Sequence, residues 1–230
     1  MLIPNMGTVD TVGGYQQLST PPQTWAEWAE EMQLFVTEAI RAKEMYAILP
    51  TSWTAVQEIC SRMFGKYWVE TGAGTGRVAL WALFNNLIPA DGKIVMFEQN
   101  PQLFEYLKNK FEGEARVAIY GAFNGDAKDI LDDEFKKQQP DSWCSTMGMM
   151  HDGDALLKQF MNLTKPGGQV VIGNYLDNTT DPMERMFQSE TVKKWVLWNI
   201  PWMCVVSGTT PLTPKKALPK KPRRRLVTLV

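Results

Sequence analysis

Residues 67–77 read YWVETGAGTGR, and no other stretch constrains the fold of this chain as tightly. A run of aromatic and β-branched residues ends at Glu70, glycines stand at Gly72, Gly74 and Gly76, and the apolar run RVALWALF follows at once. This pattern predicts a strand, a glycine-rich turn and a helix. Glycine has no Cβ and tolerates positive φ, so such a turn lets the backbone pass close to a ligand, and the start of the next helix offers free N–H groups. Glu70, Gly72, Ala73, Gly74 and Gly76 are therefore candidate binding residues for a nucleotide-like cofactor.

Spacing narrows the cofactor. A dinucleotide fingerprint counted from Gly72 needs Gly or Ala where Arg77 stands, and a phosphate-binding P-loop needs a Lys after its last glycine, where Gly76 is followed by Arg77. Nicotinamide and nucleoside-triphosphate chemistry are both disfavoured.

Beyond the turn, strand-like and helix-like runs alternate. Strands are predicted at 67–71, 93–98, 115–120, near 142–147 and at 169–175, with helices at 76–88, 101–111, near 127–137 and near 153–163. Alternation of this kind builds a mostly parallel sheet with helices on both faces, whose ligands sit beyond the C-terminal strand ends. At those ends Glu98 is placed to accept from ribose hydroxyls, with Gln99 beside it. Asp126 and Ala127 are candidates for holding an adenine ring, and TKPGGQVVIG at 164–173 is a tight turn into a strand.

With these motifs in place, residues 67–175 resemble the class I S-adenosylmethionine-dependent methyltransferases, whose first motif is E-x-G-x-G-x-G. The flanks FVTEAIRAKEMYAILPTSWTAVQEICSRM and WNIPWMCVV are similar to the opening and closing segments of bacterial phosphatidylethanolamine N-methyltransferases, relatives of the ribosomal RNA adenine dimethyltransferases. The resemblance implies a Rossmann-like α/β fold with a mostly parallel seven-stranded sheet and an N-terminal helical extension. It further implies S-adenosyl-L-methionine as cofactor, no metal, and N-methylation of a phospholipid head group. Methylation of RNA adenine or of another small molecule is the alternative, and a non-enzymatic methyltransferase-like module is disfavoured by retention of Glu70, the glycines and Glu98. Departures are Tyr46 for a glycine, Thr51 for a serine and Trp202 for a proline, with Ser145 opening the segment 145–150 where the family has Gly-Leu-Pro.

Methyl transfer to an amine requires a free lone pair, so a proton must leave first. Tyr46, before Pro50, and His151, after the fourth strand, are the catalytic candidates; His151 is the only histidine. A methylated ammonium is well held by aromatic faces, which makes Tyr46, Trp143 and Trp202 candidates for the acceptor site, and Ser145 and Asn199 are polar candidates beside them.

The domain plan is a flexible lead-in (1–23), a helical cap (24–64), the cofactor-binding domain (65–207) and a basic Pro-rich tail (208–230). In the cap, Trp25, Trp28, Met32, Phe35, Val36, Ala39 and Ile40 recur at helical spacing after Thr24, an N-cap residue. That stripe is expected to pack on the domain, with Glu27, Glu30 and Glu31 on or near the far side. The net charge of −1 hides seven basic residues and no acid in 211–230, which leaves −8 for the rest. A tail of this kind suits an anionic membrane surface better than nucleic acid in the reading favoured here. Three cysteines without metal-ligand spacing read as buried thiols in a reducing compartment. With no signal peptide and only a short, interrupted apolar stretch at 195–206, the expectation is a monomeric cytoplasmic protein, peripheral on the inner membrane face.

Overall fold

A computed structural model describes residues 18–41, 49–121, 138–146, 153–175, 183, 192–196 and 203–212. Two helices, α1 (Trp25–Arg41) and α2 (Trp53–Cys60), precede β1 (Tyr67–Thr71), α3 (Arg77–Phe84), β2 (Lys93–Phe97), α4 (Pro101–Lys110) and β3 (Val117–Tyr120). Then come β4 (Ser142–Ser145), α5 (Gly153–Leu163), β5 (Gln169–Tyr175), β6 (Val192–Val196) and β7 (Met203–Thr209). β1, α5 and β5 fall on their predicted positions, and the other predicted strands and helices are present but shorter. The helix predicted near 127–137 lies outside the described residues.

The strands form one seven-stranded sheet in the order β3-β2-β1-β4-β5-β7-β6. Pairing is parallel from β3 to β5, and β7 runs antiparallel to both β5 and β6. From β1 the chain crosses to β2 on one side and later returns to β4 on the other. The strand order therefore reverses beside β1, and the crevice at such a reversal is where sheets of this type take ligands.

Strand alternation sorts the core onto two faces. Trp68, Ile94, Met96, Cys144, Val171 and Val205 pack with α2, α3 and the end of α4. Tyr67, Val69, Val95, Phe97, Trp143, Val170 and Ile172 pack with Leu157 and Phe160 of α5. Each face is apolar because each is covered by helices, which is why β1 and β2 read as nearly continuous hydrophobic runs. Cys60, Cys144 and Cys204 are buried and outside any disulfide, as their spacing predicts. Burial pushes the thiols of Cys60 and Cys144 well above their usual range.

Two expectations about the flanks need correction. The lead-in is anchored at its end: Ser19 N–H donates to Asn85 Oδ1 (2.8 Å), and Asn85 Nδ2 donates back to the Ser19 carbonyl (3.0 Å). The sheet continues past 207, since β7 reaches Thr209 and the Thr210 N–H donates to the Gly168 carbonyl at 2.8 Å. The apolar stretch 195–206 supplies the end of β6 and the start of β7, and Met203 to Val206 of it are fully buried in the sheet. Among the described residues no helix is long and apolar enough to cross a membrane.

Candidate functional site

The glycine turn leaves β1 at Thr71 and is tied at once to the end of β2. The N–H groups of Gly72 and Ala73 both donate to the Phe97 carbonyl, at 2.9 and 3.1 Å. Gly72, Gly74 and Gly76 all have left-handed backbone, with φ of 68°, 57° and 72°. Two of these positions show why a side chain is excluded. A Cβ on Gly76 would lie 2.7 Å from both Leu107 and Phe111, so this glycine lets α3 and α4 approach each other. A Cβ on Gly74 would point into the crevice and meet one side chain, Phe35, at 3.2 Å.

Glu98 stands at the end of β2, facing this turn. Its Oε2 accepts from the Gly74 N–H (2.7 Å) and its Oε1 from the Asn100 N–H (2.8 Å), with a further backbone bond from Gln99. The carboxylate thus bridges the two loops that border the crevice. Burial raises its pKa, offset in part by the N–H groups of Asn100, Gly74 and Gln99. Gln99 contributes through its backbone, and its side chain is exposed. Asn100 caps α4, accepting from the N–H groups of Gln102 and Leu103 at 3.0 Å each.

Glu70 lies beneath the turn, fully enclosed, on the face covered by α3. Its carboxyl accepts from the Ala79 N–H, and Oε2 has no hydrogen-bond partner among the described residues. Burial pushes its pKa up to about 8, with the Glu98 charge adding to the rise and Lys110 opposing it. A carboxyl in this environment is protonated at neutral pH.

The cap helix docks on this site by an unexpected face. Thr24 does cap α1: its Oγ1 accepts from the Glu27 N–H (3.2 Å), and Glu27 reaches back to the Thr24 N–H (2.7 Å), a reciprocal capping box. Trp25 and Trp28, however, are 48% and 37% exposed, and Ile40 is 80% exposed. The buried positions are Glu31, Phe35 and Glu38, spaced i, i+4 and i+7. The helix is rotated by roughly a quarter turn from the orientation its apolar stripe predicts.

Charge pairing explains the rotation. Arg77, the first residue of α3, holds Glu31 in a two-pronged pair, Nε to Oε1 and Nη2 to Oε2, both at 2.8 Å. Thr75 Oγ1 also donates to Glu31, and Gln23 Nε2 donates to its Oε2 at 2.8 Å. The remaining arm of Arg77 donates to the Thr51 carbonyl (2.9 Å), and its guanidinium lies 4.9 Å from the Trp53 ring centroid. Burial alone would raise the Glu31 pKa, but the hydrogen bonds and charge of Arg77, with Lys110 and Thr75, hold it at about 2. A buried guanidinium without this carboxylate would be costly, so the pair sets the helix orientation against its exposed tryptophans. Farther along, Glu38 accepts from Asn100 Nδ2 at 3.2 Å.

The structure therefore brings together Glu70, Gly72, Ala73, Gly74, Glu98 and Gln99 at the β1 and β2 ends. Gly76 is adjacent, facing α4. Trp143 is corrected to a core residue: it is fully buried, stacked on Phe160 at 4.8 Å, with its indole N–H toward Thr71 Oγ1. Ser145 is buried at the end of β4, and next to it Thr146 Oγ1 donates to the Gly72 carbonyl at 3.2 Å. Tyr46, Asp126, Ala127, His151, Asn199 and Trp202 lie outside the described residues. Sequence reasoning missed Glu31, Phe35, Glu38, Thr75, Arg77 and Asn100. The available signal was a charged residue opening an otherwise apolar helix at Arg77, matched by two acids at heptad spacing in the cap.

No family model and no curated protein matches the sequence. Solved structures do match. A precorrin-6y C5,15-methyltransferase from Geobacter metallireducens GS-15 is 16% identical, with a TM-score of 0.58 over 74% of this chain and 92% of that one. A SAM-dependent O-methyltransferase from Thermotoga maritima is 12% identical, with a TM-score of 0.53 over 79% of this chain and 73% of that one. The carbon methyltransferase of CurJ is 13% identical, with a TM-score of 0.51 over 68% of this chain and 51% of that one. At these identities the likeness is one of fold, and the chain has the Rossmann-like fold of class I methyltransferases.

Proposed function

We propose that this chain is an S-adenosylmethionine-dependent methyltransferase acting on an amine, with phospholipid head groups as the acceptor class. The observation that carries the cofactor assignment is the glycine turn closing on Glu98: left-handed glycines leave the crevice face of Gly74 without a side chain, opposite a carboxylate at the end of the neighbouring strand. These residues fit an adenosyl ligand. Glu98 and the turn would hold its ribose, and Glu70, protonated and with a buried oxygen lacking a partner among the described residues, adds a hydrogen-bond donor below.

When bound, S-adenosylmethionine supplies a methyl group activated by a sulfonium. The chain's own contribution is alignment of acceptor and cofactor and exclusion of water. Removal of the amine proton is assigned to Tyr46 or His151. The acceptor class rests on the sequence similarity of the cap and of 198–206 to phospholipid N-methyltransferases, and on a basic tail suited to an anionic surface. The solved structures of like fold include methyltransferases of carbon, of oxygen and of rRNA, so the fold does not select the acceptor.

Two measurements test the reading. Glu98→Ala should weaken binding of S-adenosylhomocysteine by about 1.5–3 kcal/mol, the scale of hydrogen bonds to a charged acceptor, and wild-type affinity in a folded variant refutes the cofactor site. Incubation with methyl-labelled cofactor and separate lipid, RNA and small-molecule fractions should place label on lipid amines, whereas label confined to RNA overturns the acceptor assignment.

A further inference from the structure

The cap helix meets the cofactor crevice at two points, Phe35 against Gly74 and Glu38 against Asn100. Glu98 is 8% exposed, Ala73 6% and Asn100 9%, so little of the carboxylate is open to a ribose diol in this arrangement. The acceptor positions of Glu98 are also largely taken, by the N–H groups of Gly74, Asn100 and Gln99. A carboxylate has about four such positions, so one ribose hydroxyl can be accepted with these backbone bonds intact and a second would displace one of them.

The closing side chains are on the C-terminal half of α1. The position on Gly74 that lacks a Cβ is the one against which a ligand would lie, and the Phe35 ring fills it. Glu38 then fastens the next turn of the helix to Asn100, whose N–H in turn holds Glu98. The N-terminal half is held differently, by the buried pair of Glu31 and Arg77 and by Thr75. The two attachments differ in strength: Glu31 has a two-pronged charged partner, whereas Glu38 meets a neutral amide at 3.2 Å and the exposed Arg41.

We propose that α1 is a gate on the cofactor crevice. Phe35 competes with the ligand for the face of Gly74, Glu38 latches the gate to Asn100, and the Glu31–Arg77 pair is the fixed end about which the C-terminal half of the helix moves. The proposal rests on the cofactor reading above and adds to it the control of access. Closure reduces apparent affinity by the fraction of time the crevice is open. Removing the latch or the plug should therefore tighten binding, the reverse of what deleting a contact residue does.

S-adenosylhomocysteine titrated into the full chain distinguishes the possibilities, read by calorimetry and by stopped-flow fluorescence. Phe35→Ala and Glu38→Ala should each speed association and tighten binding, by about tenfold if the crevice is open roughly one-tenth of the time. In the unmodified protein, hydrogen exchange should show amides 35–41 losing protection on ligand binding while 28–31 keep theirs, a readout that needs no variant to fold. If Phe35→Ala weakens binding as Glu98→Ala does, the ring is a wall of the site and the gate is refuted. If the wild type binds through Glu98 with unchanged exchange along α1, the gate fails and the cofactor reading stands. If the wild type does not bind S-adenosylhomocysteine, both fall.

Discussion

Replacing Glu70 with glutamine removes a titration that opposes folding. In the folded chain burial pushes this carboxyl from 4.5 up to about 8, so it keeps its proton where the unfolded chain has lost it. Between those two values the unfolded state binds fewer protons, and stability falls as pH rises; above about 8 both states are ionised and the loss levels off. At about 1.4 kcal/mol per unit the loss is roughly 1 kcal/mol near pH 5 and roughly 4 kcal/mol near pH 8. Glutamine is neutral throughout and nearly isosteric with the protonated acid, and its carbonyl can still accept from the Ala79 N–H. The variant's stability relative to the parent should therefore rise by roughly 3 kcal/mol between pH 5 and pH 8, or about 6–12 °C in melting temperature for a chain of this size. Denaturant titrations of both proteins across this range measure the gap directly. The titration of Glu70 is the largest difference between the two proteins, so a gap that stays constant with pH refutes the assignment of a buried, protonated Glu70.

The buried pair makes the opposite kind of prediction. Glu31→Gln strands Arg77 and should cost about 3–5 kcal/mol in urea denaturation, while Glu31→Met with Arg77→Met should recover most of it. Because the folded pKa of Glu31 is about 2 against 4.5, its contribution is complete above pH 4.5 and fades as pH falls toward 2, which an acid unfolding series of the parent and Glu31→Gln should show. Gly113→Ala, at φ of 79° with open space around it, should cost only the left-handed strain of about 1–2 kcal/mol, whereas Gly76→Ala adds overlap with Leu107 and Phe111 and should cost about 1–3 kcal/mol more by the same assay. Cys60, Cys144 and Cys204 should resist a thiol reagent in the native protein and react at the rate of unfolding, since all three are buried; fast labelling without denaturant contradicts the described packing.

Local signals in the sequence determined the elements and the first half of the site. The run ending at Glu70 reads as a buried strand, the three glycines read as a turn of positive φ, and a helix is predicted from Pro101, which the structure shows at its first turn behind an Asn100 cap. Period and spacing carry such information because strand, turn and cap each depend on a few neighbouring residues. Glu98 was legible for the same reason, as the acid that closes an apolar strand. The orientation of α1 was decided by tertiary structure. Its apolar stripe predicts one docked face, yet the charge of Arg77, forty-six positions away from Glu31, selects another. A hydrophobic pattern along one helix contains no term for a guanidinium buried on a different one. Trp143 shows the same limit from the other side: an aromatic residue at a strand end can face the ligand crevice or the core, and the stacking partner Phe160 that places it in the core comes from a helix seventeen residues later. The contacts of Phe35 with Gly74 and of Glu38 with Asn100 likewise exist only once the cap, the glycine turn and the loop after β2 meet at the reversal in strand order.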